Sequence, residues 1–269
     1  MAAPTILFRK DYSTEDELDI AKQYFHVVEY RAECQDQLVI PRYSALPYYK
    51  ELEYDLLLHN CHMINSLREH RWIADFEWYN ELREFTPETW FDHNFHECTH
   101  HGPFVVKGRT NSKKLYWSSQ MFAPTRRDAI KVAGLLTQNE YLAQQGIVYR
   151  KYEPLVTLEE GLNGLPFSHE FRFFFLRNKM LCNGFYWSSA SRVDYPTPEA
   201  AIELAHKVAG IAMQYANFFV VDVAEKASGG WTLIELNDGQ MSGLSECDPH
   251  ELYKNLAESL ITLDEASDG

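Results

Sequence analysis

Two apolar segments near the end of the chain carry acidic and amide side chains, and they constrain the fold more than any other feature. Phe218–Glu225 and Trp231–Asn237 are rich in Phe, Val, Leu and Ile, and they flank turn-forming residues at 226–230. This pattern predicts an antiparallel hairpin. Because side chains alternate along a strand, Glu235 and Asn237 lie on the same face of the predicted sheet.

Asp222 belongs to the first strand of this hairpin, and the register decides which way it faces. The sequence leaves the register open, because a shift of one residue moves Asp222 to the other face. If paired residue numbers have an odd sum, Asp222 lies opposite or diagonal to Glu235. Two carboxylates and an amide oxygen are ligands that Mg²⁺ accepts, so Asp222, Glu235 and Asn237 are candidate metal ligands. An exposed strand face with ordinary charges is the alternative.

A basic segment follows the apolar run at 104–106. Lys107 ends a predicted strand, and a lysine there needs an anionic partner if it is buried. The polar loop Gly108–Lys114 adds Lys113 and Lys114, so a mobile basic loop could close over phosphates. The alternative for Lys107 is a side chain whose stem packs on the surface while its ammonium reaches solvent. Neither common Gly-rich phosphate-binding motif is present.

Arg172 lies in Glu170–Leu176, a segment that contains four phenylalanines. Alternation places Glu170, Arg172 and Phe174 on one face of a strand and the other phenylalanines on the opposite face. The guanidinium fork suits a phosphate or a carboxylate. A buried ion pair with Glu170 or another acid is an equal alternative.

The remaining patterns predict a small α/β unit with parallel strands, followed by hairpins interleaved with helices. A capping box at Thr14 and Glu17 opens the first helix. Ile130, Ala133 and Leu136 form the predicted buried side of a later helix. The other predicted strands are Thr5–Arg9, His26–Arg31, Leu38–Arg42, Leu115–Trp117, Gly146–Tyr152 and Met180–Trp187. The predicted helices cover 14–25 and 124–138, begin at Thr86-Pro87-Glu88, run from Pro198 to about Tyr215, and begin at Pro249.

Composition and charge exclude several classes of protein. Hydrophobic residues make up 45% of the 269 residues, which indicates a globular chain. The net charge of −14 argues against a nucleic-acid-binding surface, yet residues 107–179 carry 12 Lys and Arg against 6 Asp and Glu. A basic centre in an acidic chain indicates either a solvated face or an anion site. No apolar run is long enough for a membrane span, and no signal peptide is recognised, so we expect a cytoplasmic protein.

Cysteine and histidine spacing offers little support for other chemistry. The five scattered cysteines form no C-x-x-C pair, which favours a reducing compartment. Clusters at His59, Cys61 and His62, and at 96–101, match no common structural zinc spacing.

Four blocks in a fixed order resemble the ATP-grasp superfamily. They are Phe104–Arg109, Ile147–Tyr152, Glu170–Arg172, and Asp222 with Glu235–Asn237. More narrowly, the chain is similar to a clade of small stand-alone ATP-grasp proteins marked by two arginines and a lysine, from about residue 60 to 252. The resemblance implies an α+β fold in which two α+β subdomains grip ATP, after an N-terminal α/β unit. We expect this unit at 1–75, the ATP-grasp region at 76–262 and a tail at 263–269.

The resemblance also implies roles for individual residues. Arg172, Lys107 and Arg150 would be catalytic, and Asp222, Glu235 and Asn237 would hold two Mg²⁺ ions. The segment 238–243 would lie near the acceptor substrate. The expected ATP-binding residues are Lys107, Arg109, Lys113, Lys114, Tyr149, Arg150, Lys151, Tyr152 and Glu153.

The function implied by this resemblance is an ATP- and Mg²⁺-dependent ligase that forms an amide or peptide bond. A small-molecule or peptide carboxylate would be activated as an acyl phosphate and then meet an amine. A small-molecule kinase on the same fold is one alternative. A non-catalytic ATP-binding regulatory module is another, and neither a nucleic acid nor a membrane is an expected partner.

Overall fold

The computed structural model of the chain describes residues 2–9, 15–139 and 144–267. The described residues form an α+β fold built on three four-stranded sheets and one small hairpin. Within these ranges no helix has the length and apolar character to cross a membrane.

The first sheet, sheet A, is parallel, as the sequence predicts. Its strand order is β2-β1-β3-β4, and β1 pairs in parallel with both β2 and β3. Ile6, Leu7 and Phe8 are all buried because helices or neighbouring elements cover both faces of β1. The elements are β1 Ala2–Phe8, α1 Glu15–Ala21, β2 His26–Val28, β3 Gln37–Arg42, α2 Tyr49–Leu58, β4 His62–Met63 and α3 Leu67–Ala74.

Sheet B carries the basic blocks of the sequence and has the order β5-β8-β6-β7. Its pairs are antiparallel. The elements of this region are α4 Tyr79–Leu82, β5 Thr89–Phe91, β6 Phe104–Gly108, α5 Trp117–Gln120, β7 Phe122–Ala123, α6 Arg126–Leu136 and β8 Ile147–Lys151.

Sheet C is antiparallel, with the order β12-β11-β13-β14, and the predicted hairpins form its two halves. The two faces of β11 enter different cores: Phe171, Phe173 and Phe175 pack in one, and Phe174 packs in the other. Elements of this region are β9 Thr157–Glu160, β10 Pro166–Ser168, β11 Glu170–Leu176, β12 Lys179–Phe185, α7 Glu199–Ala212, β13 Phe218–Glu225, β14 Trp231–Asp238 and α8 Pro249–Ser267. Helix α8 continues into the segment predicted as a tail.

Two predicted elements in the middle of the chain are wrong. Thr86-Pro87-Glu88 does not begin a helix but leads into β5, because the Glu88 carbonyl accepts a hydrogen bond from Lys151 N at the end of β8. Leu115–Trp117 is not the second strand of the hairpin. It forms a 3₁₀ turn at Lys114–Tyr116 that leads into α5, and β6 pairs with β7 instead.

Two helix predictions need correction in detail. In α6 the buried side is Ala129, Val132, Ala133 and Leu136, whose spacing matches one helical face, and Ile130 is 57% exposed. Helix α1 ends at Ala21 rather than near Phe25. Thr14 of the predicted capping box lies outside the described residues, and the Glu17 carboxylate accepts hydrogen bonds from Arg42 and Tyr253.

Candidate active site

A cleft between sheets B and C collects most of the predicted site residues. The open space of the cleft, with its mouth included, is about 880 Å³. Lys107, Arg150 and Glu235 line its floor. The other lining residues include Ser112, Lys114, Trp117, Lys151, Tyr152, Glu153, Ser168, Glu170, Trp187 and Ile234.

The pairing of β13 with β14 brings the acidic cluster together, because the numbers of the paired residues have an odd sum up to Asp222. Asp222 pairs with Glu235 and Val220 pairs with Asn237, and the register shifts immediately beyond Asp222. Asn237 Nδ2 donates to Asp222 Oδ2 at 3.1 Å. The three candidate metal ligands therefore lie on one face at the cleft end of sheet C.

Arg172 forms the buried ion pair that was the alternative to a phosphate contact, but with Asp222 and not Glu170. Its Nε and Nη2 each donate to one Asp222 oxygen at 2.8 Å, and Nη1 donates to the Gly243 carbonyl at 2.6 Å. The pair is buried, and the carboxylate raises the pKa of Arg172 although burial alone would lower it. The Tyr186 ring lies 4.8 Å from the guanidinium carbon.

Lys107 crosses the cleft from β6 and forms an ion pair with Glu235 on β14. Burial lowers the pKa of Lys107, and Arg150 and Lys114 lower it further. Burial alone would raise the pKa of Glu235, but Lys107 and Lys114 hold it below its ordinary value. The pair therefore joins the two sheets through a charged contact that is 7% and 15% exposed at its two side chains.

Arg150 on β8 makes a second link between the sheets. Its Nη1 donates to the Ile234 carbonyl at 2.5 Å, and Nη2 and Nε donate to the hydroxyls of Thr86 and Thr89. Every one of these acceptors is uncharged, so burial lowers the pKa of Arg150 to about 10. A buried cation with only neutral hydrogen-bond partners is suited to an anionic ligand.

The loop after β6 brings only one of its two lysines into the cleft. Lys114 Nζ donates to the Tyr186 hydroxyl and lies 4.9 Å from the Trp187 ring, whereas Lys113 is not among the cleft residues. Burial opposes the charge of Lys114, but nearby Tyr186, Glu170 and Glu235 raise its pKa. Asn163 Nδ2 donates to the Leu115 carbonyl at 2.6 Å and so ties this loop to the hairpin of β9 and β10.

The predicted ATP-binding residues at the end of β8 do not all face the cleft. Tyr149 points away from the cleft and stacks on Phe95 with ring centroids 3.8 Å apart. Burial, with Asp92 close by, raises its pKa to about 12. Lys151, Tyr152 and Glu153 follow at the cleft mouth.

Arg109 lies outside this cleft. Its guanidinium carbon is 5.6 Å from the Phe91 ring centroid, and Nη1 donates to the Asp75 carbonyl at 3.1 Å. It lines a second cavity next to Asn237.

Sequence reasoning missed Glu170 as a cleft residue. Its carboxyl is 3% exposed and accepts a hydrogen bond from Ser168 at 2.8 Å. Burial and the neighbouring charge of Asp222 raise its pKa to about 7. The signal was available, because strand alternation places Glu170 on the same face as Arg172. The aromatic residues Trp117 and Trp187 were also missed, since aromatic residues near a site cannot be told from core residues by sequence.

Zinc was a minor alternative for the histidine and cysteine clusters. Within the described residues, no group of three or more His, Cys, Asp or Glu side chains is arranged to hold a metal ion. The acidic cluster of sheet C has only two side chains of these types, together with one amide.

Sheets B and C facing one another across a cleft define the ATP-grasp class of fold. The chain matches the model of the ATP-grasp domain of family 3 in the clade marked by two arginines and a lysine, over residues 94–256, and it belongs to that family. The comparison with curated protein sequences found no match.

Solved structures with the same fold cover almost the whole chain. The RimK domain protein ATP-grasp from Sphaerobacter thermophilus is 13% identical with a TM-score of 0.60, over 96% of this chain and 98% of that one. The ATP-grasp ligase PsnB in complex with a minimal precursor, Mg and ADP is 10% identical with a TM-score of 0.55, over 97% of both chains. D-alanine–D-alanine ligase from Bacillus anthracis, in complex with ATP, is 12% identical with a TM-score of 0.56, over 98% of both chains. At these identities the likeness concerns the fold.

Proposed function

We propose that this protein is an ATP- and Mg²⁺-dependent ligase that joins a carboxylate to an amine through an acyl phosphate. The observation that carries the proposal is the charge arrangement of the cleft. Lys107, Arg150 and Lys114 enter from one side and Glu235 from the other, beside the Arg172–Asp222 pair. Family membership and the ATP- and ADP-bound structures of the same fold support a nucleotide as the ligand.

The proposed role of each residue follows from the hydrogen bonds and ion pairs that it already makes and from the atoms that those contacts leave available. Lys107 and Arg150 would bind phosphate oxygens, and Lys114 would move from Tyr186 to close the loop over them. The backbone from Tyr149 to Glu153 would contact the adenine, with Lys151 and Glu153 at the mouth. Arg172 would stabilise the charge that develops on the transferred phosphoryl group. Arg109 and Lys113, which lie away from the cleft in this structure, would act only if the loop moves.

The acidic cluster fits Mg²⁺ by its chemistry. Glu235 has one oxygen outside the contact with Lys107, and the Asn237 carbonyl oxygen is free of the bond that its amide makes to Asp222. Carboxylate oxygens each accept more than one contact, so Asp222 can bind a cation while it holds Arg172. When bound, Mg²⁺ would neutralise phosphate charge and allow the substrate carboxylate to approach.

A hydroxylamine trap tests this function. Wild-type protein and Glu235→Gln are incubated with Mg·ATP, hydroxylamine and a pool of amino acids, peptides and small carboxylates, and hydroxamate and ADP are measured together. The proposal predicts both products from the wild type and neither from the variant, whose circular dichroism should be unchanged. ADP with a stable phosphorylated product and no hydroxamate would indicate a kinase. Nucleotide binding by calorimetry without ADP release for any carboxylate would indicate a regulatory module.

A further inference from the structure

A second cavity lies on the other side of the acidic cluster, where the nucleotide cleft ends. Strand β14 is its shared wall: Glu235 lines the first cleft, whereas Asn237 and Asp238 line the second. The other walls come from sheet A and its helices, from the loop after β6 and from the loop after β14. They include Ser44, Leu46, His70, Arg109, Thr110 and Ser242.

His70 is a titratable side chain of this second cavity to which the function proposed above gives no role. It lies on α3, is 3% exposed, and lines both this cavity and an adjoining one. Its Nδ1 is 2.9 Å from Asp238 Oδ2, and its ring stacks on Tyr49 with centroids 3.8 Å apart and planes 7° from parallel. The imidazole is therefore held in one orientation by a carboxylate and an aromatic ring.

Asp238 is held as firmly as the histidine. Its Oδ1 accepts from Asn65 Nδ2 and from the backbone N of Gln240, both at 2.9 Å. Tyr49, which stacks on the imidazole, donates to the Asn65 carbonyl and accepts from Gln240 Nε2. An ionised carboxylate only accepts, so the neutral His70 ring carries its proton on Nδ1 and the lone pair on Nε2. Within the described residues, no hydrogen bond to Nε2 is formed.

We propose that His70, oriented by Asp238, is the proton acceptor for the incoming nucleophile, a primary or secondary amine that binds in the second cavity. This inference rests on the ligase function proposed above. Asp238 and the candidate metal ligand Asn237 are consecutive in β14, so their side chains leave opposite faces of the strand, but both residues and His70 line this cavity at the end of β14. An activated carboxyl held at Asn237 would therefore open onto the cavity that contains His70. A carboxylate that orients a histidine toward a nucleophile is a recurrent arrangement for proton removal.

The step balances as an acyl transfer. The amine nitrogen attacks the carbonyl carbon of the acyl phosphate, a C–N bond forms and the C–O bond to phosphate breaks. Inorganic phosphate leaves with the electron pair of that bond. Before the attack, one ammonium proton of the substrate moves to His70 Nε2, while the Nδ1 proton stays between the ring and Asp238. The second proton, lost from nitrogen as the amide forms, leaves with the phosphate as hydrogen phosphate.

The two half-reactions separate this role from a structural one. Hydroxylamine is already a free base at neutral pH and attacks acyl phosphates unaided, whereas an ordinary alkylamine is an ammonium ion there and must give up a proton before it can attack. His70→Gln keeps an amide that can donate to Asp238 but cannot accept a proton. We expect this variant to retain hydroxamate formation within about threefold and to lose amide formation by about 100-fold or more. Arg68→Gln, an exposed change on the same helix, is the matched control and should retain both.

Each outcome of this experiment decides a different point. Equal loss of hydroxamate and amide in His70→Gln would make His70 a structural residue and overturn the inference. Retention of both would overturn it as well. Absence of hydroxamate from the wild type would instead contradict the ligase function. In His70→Ala, added imidazole should restore part of the amide formation if a base is missing.

A measurement without substrate tests the proton arrangement. Nitrogen-15 NMR of the labelled protein, at a pH that leaves the ring neutral, reports which ring nitrogen carries the proton. The inference requires the proton on Nδ1 and a bare Nε2, with the signal assigned by its loss in His70→Gln. A His70 ring protonated on Nε2 would overturn the inference, whatever the activity assay shows.

Discussion

Two buried arginine–carboxylate pairs in this molecule use the same chemistry in different surroundings. Arg42 donates to Glu17, to Tyr253 and to the Gly239 carbonyl, so its partners come from α1, α8 and the loop after β14. Arg172 donates to Asp222 and to the Gly243 carbonyl, and its neighbours are the amide of Asn237 and the Tyr186 ring. The first pair is enclosed by structural elements, whereas the second adjoins a cleft with capacity for ligands. The surroundings of an ion pair, and not the pair itself, therefore indicate whether it serves folding or chemistry.

Stability should be most sensitive to substitution in the enclosed Arg42–Glu17 pair. Glu17→Ala leaves Arg42 buried without its charged partner, and we expect a loss of about 3–5 kcal/mol in the free energy of unfolding, measured by urea denaturation. Replacement of both residues by methionine should recover most of this loss. A loss below about 1 kcal/mol for Glu17→Ala would contradict the view that this pair holds the N-terminal unit to α8.

Glu170 is another buried carboxyl, and no arginine donates a hydrogen bond to it among the described contacts. Its pKa is raised from 4.5 to about 7, so the folded protein binds more protons than the unfolded chain between these values. The stability contributed by this group therefore falls as pH rises from about 4.5 to 7 and stays low above 7. Glu170→Gln should have a higher free energy of unfolding than the wild type at pH 8, by up to about 3 kcal/mol, and the difference should vanish below about pH 4.5.

Urea titrations from about pH 4 to about pH 8 check this sign. Glu160→Gln, an exposed change, is the control and should follow the wild type at every pH. A Glu170→Gln variant less stable than the wild type at the alkaline end would show that the charged form of Glu170 is favoured by its surroundings.

Asn237→Ala tests the Arg172–Asp222 pair beside the cleft. The change removes a candidate metal ligand that also donates to Asp222, and we expect turnover to fall about 100-fold. The free energy of unfolding should fall by about 2 kcal/mol or less, because the one hydrogen bond lost is to the Asp222 carboxylate. Asn178→Ala, in the exposed turn of the β11–β12 hairpin, should change neither quantity. A large loss of stability in Asn237→Ala with normal turnover would show that this cluster serves folding and not catalysis.

The smallest expected effect separates the two loop lysines. Lys114→Met should raise the KM for ATP about tenfold, equivalent to about 1.4 kcal/mol, because a phosphate contact is lost. Lys113→Met should change it less than twofold, since only Lys114 reaches the cleft in this structure. Equal effects of both variants would mean that the loop rearranges when nucleotide binds.

Much of this arrangement could be predicted from sequence because strand alternation is strict. The β13–β14 hairpin and the faces of β11 were correct, so Glu235 and Asn237 were predicted to share a face, as were Glu170 and Arg172, whereas the face of Asp222 was left open. The register of β13 and β14 could not be derived, because the pairing shifts after Asp222 and no residue type in the sequence indicates that shift. Lys113 and Lys114 are adjacent and chemically alike, and only the turn Lys114–Tyr116 directs one of them inward.

The errors and omissions arise from short segments and from contacts between residues far apart in the sequence. Leu115–Trp117 has three apolar residues, too few to distinguish a strand from a helical turn. The contact between His70 and Asp238 joins residues 168 positions apart, and a histidine on a helix carries no local mark of such a partner. The partner of Arg172 was likewise undecided, because Glu170 was nearer in sequence but Asp222 is directly opposite on the paired strand.

The enclosed pair also affects the order in which this chain can mature during synthesis. Ile6 and Phe8 of the first strand pack with Leu252, Tyr253 and Leu256 of the last helix, and Tyr253 also completes the contact between Glu17 and Arg42. This side of β1 therefore cannot be covered until α8 has been made. A nascent chain halted before residue 249 would expose this apolar surface and leave the buried cluster incomplete, which makes it a natural substrate for chaperones and proteases.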